Sequence, residues 1–72
     1  MTSKRRYTKL VYEGQYVARV EVELIDTGEG WSPYLSLEDA QKLDDVRAAL
    51  RQHDLQTAER LARIFTLIPV VA

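Results

Sequence analysis

The chain has 72 residues, ten basic and eleven acidic, no cysteine and a single histidine. That length allows one domain, which buries only about 60% of the surface its unfolded chain exposes. The balance of charge gives no global case for nucleic-acid binding. Disulfides are excluded as a supplement to a small core, so self-association is expected to supply it, and a cysteine-free sequence fits a reducing cytoplasm.

The basic start Lys4-Arg5-Arg6 is followed by no long apolar run, so neither a secretory leader nor a membrane span is expected. Residues 1–6 read as a flexible basic tail, and residues 7–72 as a single α+β domain. Lys4, Arg5, Arg6 and Lys9 are the residues that would contact phosphates if the chain bound nucleic acid. A stretch running from Glu13 to Glu29 is instead acidic, with Arg19 its one cation.

Residues 7–12 and 16–25 are rich in β-branched and aromatic side chains, with Glu13 and Gly14 between them, which predicts a β-hairpin. In the second strand Tyr16, Ala18, Val20, Val22 and Leu24 alternate with Val17, Arg19, Glu21 and Glu23. One face therefore meets a core and the other meets water. A two-residue turn would place Val11 beside the apolar set, and a three-residue turn with Gly14 left-handed would place Leu10 there. Glu13 is poorly suited to positive φ, which favours the second register and Leu10.

Residues 26–30 form a loop by composition, leading into Trp31-Ser32-Pro33-Tyr34, which the proline holds extended. Two large aromatics around a proline suit either a core edge or a binding hot spot. Trp31 and Tyr34, with Val17 and Ile25 on the hairpin, are the candidate partner-binding residues.

Ser36 with Asp39 three residues later predicts a capped helix start. Ala40, Leu43, Val46 and Leu50 recur at helical spacing, and Glu38 with Lys42 forms the favourable i,i+4 order, so a helix should run to about Gln52. Asp54 caps a second helix with an apolar stripe of Leu55, Ala58, Leu61, Ala62 and Phe65, leaving Glu59, Arg60 and Arg63 outward. A short link makes these an antiparallel helical hairpin. The apolar tail 68–72 contains Pro69 and should be extended, over the hairpin or against a second chain.

Catalytic and cofactor chemistry finds little footing. His53 lies in the turn between the helices with only Asp54 adjacent, which reads as a solvated turn residue. Asp44 and Asp45 point about 100° apart on a helix and do not share a face as metal ligands would. The glycines do not build a phosphate-binding loop, and Ser36 is explained as a cap. No cofactor or metal is expected, and the chain reads as a non-enzyme.

The run Gly30-Trp31-Ser32-Pro33-Tyr34-Leu35-Ser36-Leu37-Glu38-Asp39-Ala40, continued by Lys42-Leu43, Asp54-Leu55 and Leu61-Ala62, resembles short uncharacterised bacterial proteins. Some of these look like the small partner proteins of toxin–antitoxin pairs. The resemblance implies a bacterial source and a protein partner, and it transfers no functional residue. The expected fold is ββαα, a β-hairpin packed on a helical hairpin. The expected role is a protein-interaction module, homodimeric or bound to a second small protein, with a nucleic-acid-binding regulator as the alternative.

Overall fold

A computed structural model describes residues 3–28, 30 and 32–71. Its elements are β1 (Ser3–Glu13), β2 (Tyr16–Asp26), β3 (Tyr34–Leu35), α1 (Leu37–Arg51), α2 (Leu55–Leu61) and β4 (Arg63–Thr66). The α+β class holds, and the two long strands and two helices follow the expected order. Two short strands, β3 and β4, are additions to the expected ββαα plan.

β1 and β2 pair along their whole length, from Ser3 opposite Asp26 to Glu13 opposite Tyr16. Ser3–Arg6, assigned above to a basic tail, are thus paired with Glu23–Asp26 as part of the domain. The turn is Gly14-Gln15, with positive φ at Gly14 and not at Gln15. Glycine first in a two-residue loop is the type II′ pattern, whose twist matches that of the flanking strands. Glu13 therefore stays in the strand, and its unsuitability for positive φ is never tested. This register corrects the sequence reading: Val11 faces the core at 3% exposure opposite Ala18, whereas Leu10 lies on the other face at 48%.

Residues 62–66 also depart from the expected helix. α2 ends at Leu61, Ala62 turns extended (φ −158°, ψ 172°), and Arg63–Thr66 run antiparallel to Arg19–Tyr16 of β2. Ile64, Phe65 and Thr66 are residue types that fit a pleated strand, and the far edge of β2 supplies the partner that the helical reading did not consider. Phe65 leaves the helical stripe, and Ile64 takes the inward position opposite Ala18.

On that same side β2 pairs with β3 near its other end, Leu24 opposite Leu35 and Ile25 opposite Tyr34. Between β3 and β4 the backbone of β2 has no strand partner, and α1 supplies substitutes. Asp39 Oδ2 accepts the Glu23 amide at 2.8 Å, and Lys42 Nζ donates to the Glu21 carbonyl at 2.8 Å. Both side chains had been read as serving the helix itself, Asp39 in a capping box and Lys42 with Glu38. Ser36 does cap α1, its Oγ accepting the Asp39 amide at 3.1 Å, while the Asp39 carboxylate turns to the sheet.

The helices lie on one face of the sheet. Val11, Ala18, Val20 and Val22 bury against Leu43, Val46, Ala49, Leu50 and Ala58, with Tyr16, Leu35, Leu55, Leu61, Ala62 and Ile64 around them. Leu24, expected in the core, is half-buried near the β3 end. The Cα extents of 47 × 31 × 14 Å fit one sheet and one helical layer.

α1 ends in a Schellman motif. His53 at φ 56° is its left-handed residue, the His53 amide donates to Leu50 O at 3.1 Å and the Asp54 amide to Ala49 O at 2.8 Å. The His53 ring meets Tyr16 edge-on at 6.2 Å, and Arg51 pairs with Glu13 at 3.4 Å, so the helix end is fastened to the hairpin turn. A non-glycine residue in this conformation costs about 1–2 kcal/mol, and glycine loses about 0.5–1 kcal/mol more entropy on folding. Urea unfolding should accordingly show His53→Gly more stable by about 0.5–1 kcal/mol and His53→Val less stable than the parent, since a β-branched residue resists positive φ.

Candidate interaction surface

The alternation of the strands assigns every side chain of the sheet to one of two faces. The face away from the helices carries Lys4, Arg6, Thr8, Leu10 and Tyr12 from β1. From β2 it carries Val17, Arg19, Glu21, Glu23 and Ile25, and from β3 and β4 Tyr34, Arg63 and Phe65. No described helix covers this face.

Its residues form rows across the strands. At the hairpin-turn end Tyr12, Val17 and Phe65 lie side by side in register, with exposures of 62% for Tyr12 and 40% for Phe65 and Val17 half-buried between them. Leu10 borders this row, and Leu67 extends it from the end of β4, where its amide donates to Gln15 O at 2.6 Å. The middle of the face is charged: Thr8 Oγ1 donates to Glu21 Oε1 at 2.9 Å, and Arg6 stands opposite Glu23. Arg63 lies over the Phe65 ring with its guanidinium carbon 5.9 Å from the centroid, a cation–π arrangement. At the far end Lys4, Ile25 and Tyr34 form a second, smaller row.

The expected partner-binding residues are therefore distributed unevenly. Ile25 and Tyr34 are brought together as a cross-strand pair, whereas Val17 stands eight positions along β2 from Ile25, about 26 Å away at the rise of an extended strand. Trp31 lies outside the described residues. The companions of Val17 are Tyr12, Leu10 and Phe65, of which Leu10 and Phe65 were expected on the core side of their elements. A period-two reading of Arg63-Ile64-Phe65-Thr66, and the Val11 register for β1, would have placed all three on the open face.

The basic residues proposed for nucleic acid are split by the same alternation. Lys4 and Arg6 lie on the open face, Arg5 and Lys9 on the opposite one. Glu21 and Glu23 stand next to Arg6 on the open face, which breaks its basic character.

Beside the β2 edge that α1 closes lies a depression of about 410 Å³ lined by Arg6, Glu21, Val22, Glu23, Glu38, Asp39 and Lys42. Its carboxylates do not converge: among the described residues no group of three histidine, aspartate or glutamate side chains is placed to hold a metal ion. Asp44 and Asp45 are occupied on their own helix, Asp44 by Arg47 at 3.4 Å and Asp45 by the Gln41 side chain, whose Nε2 donates to Asp45 Oδ1 at 3.0 Å. No helix of the described residues is long and apolar enough to cross a membrane.

Among the described residues Asp54 is the titratable group with a clear perturbation. The Thr57 hydroxyl donates to it at 2.7 Å and the Thr57 amide at 3.2 Å; these bonds, with a smaller contribution from Arg60, hold its carboxyl below the usual carboxylate range. This is the cap of α2 and has the character of a structural group.

Compared with known protein families, with curated proteins and with solved structures, the chain matches none.

Because the folded Asp54 carboxyl titrates below its unfolded value, its contribution is complete above the unfolded pKa. It is lost as pH falls through the folded one. Thermal melts from neutral to strongly acidic pH should show Asp54→Ala less stable than the parent near neutrality, the two converging once Asp54 is protonated.

Proposed function

We propose that the chain works by binding protein and not by catalysis, as a small module that pairs with a second copy through the open face of its sheet. The observation that carries this reading is the row Tyr12, Val17 and Phe65, bordered by Leu10 and Leu67, on a face that no described helix covers. Contiguous apolar surface of this kind on a small domain marks an association site, and a domain with so modest a core gains stability by covering it.

The rest of the face suits a copy of itself. Arg6, Arg19 and Arg63 share it with Glu21 and Glu23, so a two-fold arrangement can set cations against carboxylates while the apolar rows pack as the inner faces of a β-sandwich do. An accessory or antitoxin-like role in a bacterial cytoplasm, where such a module would present its partner-binding surface as a dimer, agrees with the Gly30–Ala40 resemblance and with the absence of cysteine.

Sedimentation equilibrium over a concentration series tests the reading. The parent should run as a dimer, and Phe65→Asp and Tyr12→Lys should each weaken dimerisation at least about thirtyfold, as expected for a central aromatic anchor. Tyr12 is the more exposed of the two, so Tyr12→Lys reports on association without disturbing the fold. A parent that stays monomeric at high concentration, or variants that dimerise as the parent does, would overturn it.

A further inference from the structure

Among the described residues β1 has a strand partner on one side only. Glu13 and Tyr16 flank the two-residue turn as a hydrogen-bonded pair, so the odd residues of β1 exchange bonds with β2. The even residues Lys4, Arg6, Thr8, Leu10 and Tyr12 then aim their amides and carbonyls outward. The same phase appears on β2, whose Glu21 carbonyl and Glu23 amide point the other way, to Lys42 and Asp39. Where the far edge of β2 is covered by β3, β4 and α1, no described strand pairs with the outer edge of the 11-residue β1.

This edge is also the positive region of a chain whose net charge is −1. Lys4, Arg5, Arg6 and Lys9 fall between Ser3 and Tyr12 with no acidic residue among them. Their partners in register on β2 are Ile25, Leu24, Glu23 and Val20, so only Arg6 stands opposite a carboxylate. The ion pairs among the described residues are Arg47 with Asp44 and Arg51 with Glu13, and neither involves these four cations. A second copy offering its own β1 would add four more cations to the same strip, and like charges set opposite one another destabilise pairing.

We propose that the β1 edge takes up an acidic, extended segment of a partner protein as an added strand. The outward amides and carbonyls supply main-chain bonds, and the cations supply selection for acidic side chains. The arrangement of charge specifies the segment further. Lys4, Arg5 and Arg6 are consecutive, so they project alternately to the two faces of the sheet, and Lys9 joins Arg5 on the helix-covered side. An incoming strand meets cations on both of its faces, which favours consecutive acidic residues over an alternating pattern. Lys4 and Arg6 border the self-association face, whereas Arg5 and Lys9 lie on the opposite one and belong to this site alone.

The test is fluorescence anisotropy of the full chain with a fluorescein-labelled peptide that repeats Glu-Glu-Val-Thr. Saturable binding is expected. Arg5→Gln combined with Lys9→Gln should weaken it about five- to tenfold, from two lost cross-strand charge pairs. Both residues lie on the side of the sheet opposite the dimer face, so the same variant should keep the sedimentation mass of the parent and thereby separate failure of this proposal from failure of the self-association reading. A peptide N-methylated at alternate residues along its pairing edge should bind much more weakly, because it keeps the charge and loses the ladder. Absence of binding, equal binding of the N-methylated peptide, tighter binding of a single-stranded oligonucleotide of the same length, or loss of the dimer in the Arg5 and Lys9 variant would each overturn the proposal.

Discussion

β2 is paired on both sides, and the other elements of the described structure are arranged around that strand. β1 runs the length of one side, while β3, β4 and two side chains of α1 divide the other between them. Buried backbone amides and carbonyls are costly to leave unpaired, so covering β2 dictates where the rest of the chain goes. β3 must reach Leu24 and Ile25 before α1 begins, α1 must present Asp39 and Lys42 to the gap, and the chain must leave α2 extended to reach Tyr16–Arg19. The inward side chains of β2, Ala18, Val20 and Val22, are then in place against Leu43, Val46 and Leu50.

The same constraint explains the asymmetry of the surface. Both helices lie on one face, and β3, β4 and α1 are engaged along the far edge of β2. Among the described residues one sheet face and one strand edge are left without a covering element. The face carries aromatic and aliphatic rows among mixed charges, and the edge carries Lys4, Arg5, Arg6 and Lys9, none of them in an ion pair with another described residue. Edge strands are commonly blunted by charge against unwanted pairing, and the charge that excludes a like strand is also what selects an acidic one.

The end of α1 shows how local and distant interactions share residues. His53 closes the helix in a backbone conformation that glycine would adopt more easily, and its ring reaches Tyr16 beside the hairpin turn. Arg51 and Glu13 make a second link across the same junction. The sequence reading of His53 as a turn residue agrees with its exposed position. The clasp itself depends on the hairpin being folded over the helix end.

What the sequence by itself determined is local. Ser36 and Asp54 announce their helices because a cap acts on amides two or three residues away, and the alternation of residues 16–25 declares a half-buried strand because its period is two. Ala58, Leu43, Val46 and Leu50 were readable as core for the same reason. What only the tertiary structure decided involves partners distant in the chain. The one-residue choice between Leu10 and Val11 followed from where the turn closed, since a slip of one exchanges the faces of a strand. Arg63–Thr66 satisfied a helical pattern and a strand pattern about equally, and the uncovered edge of β2 decided for the strand. Asp39 and Lys42 looked like helix-surface residues until that edge came beside them, and Tyr12 and Phe65 became neighbours only because both strands pair with β2.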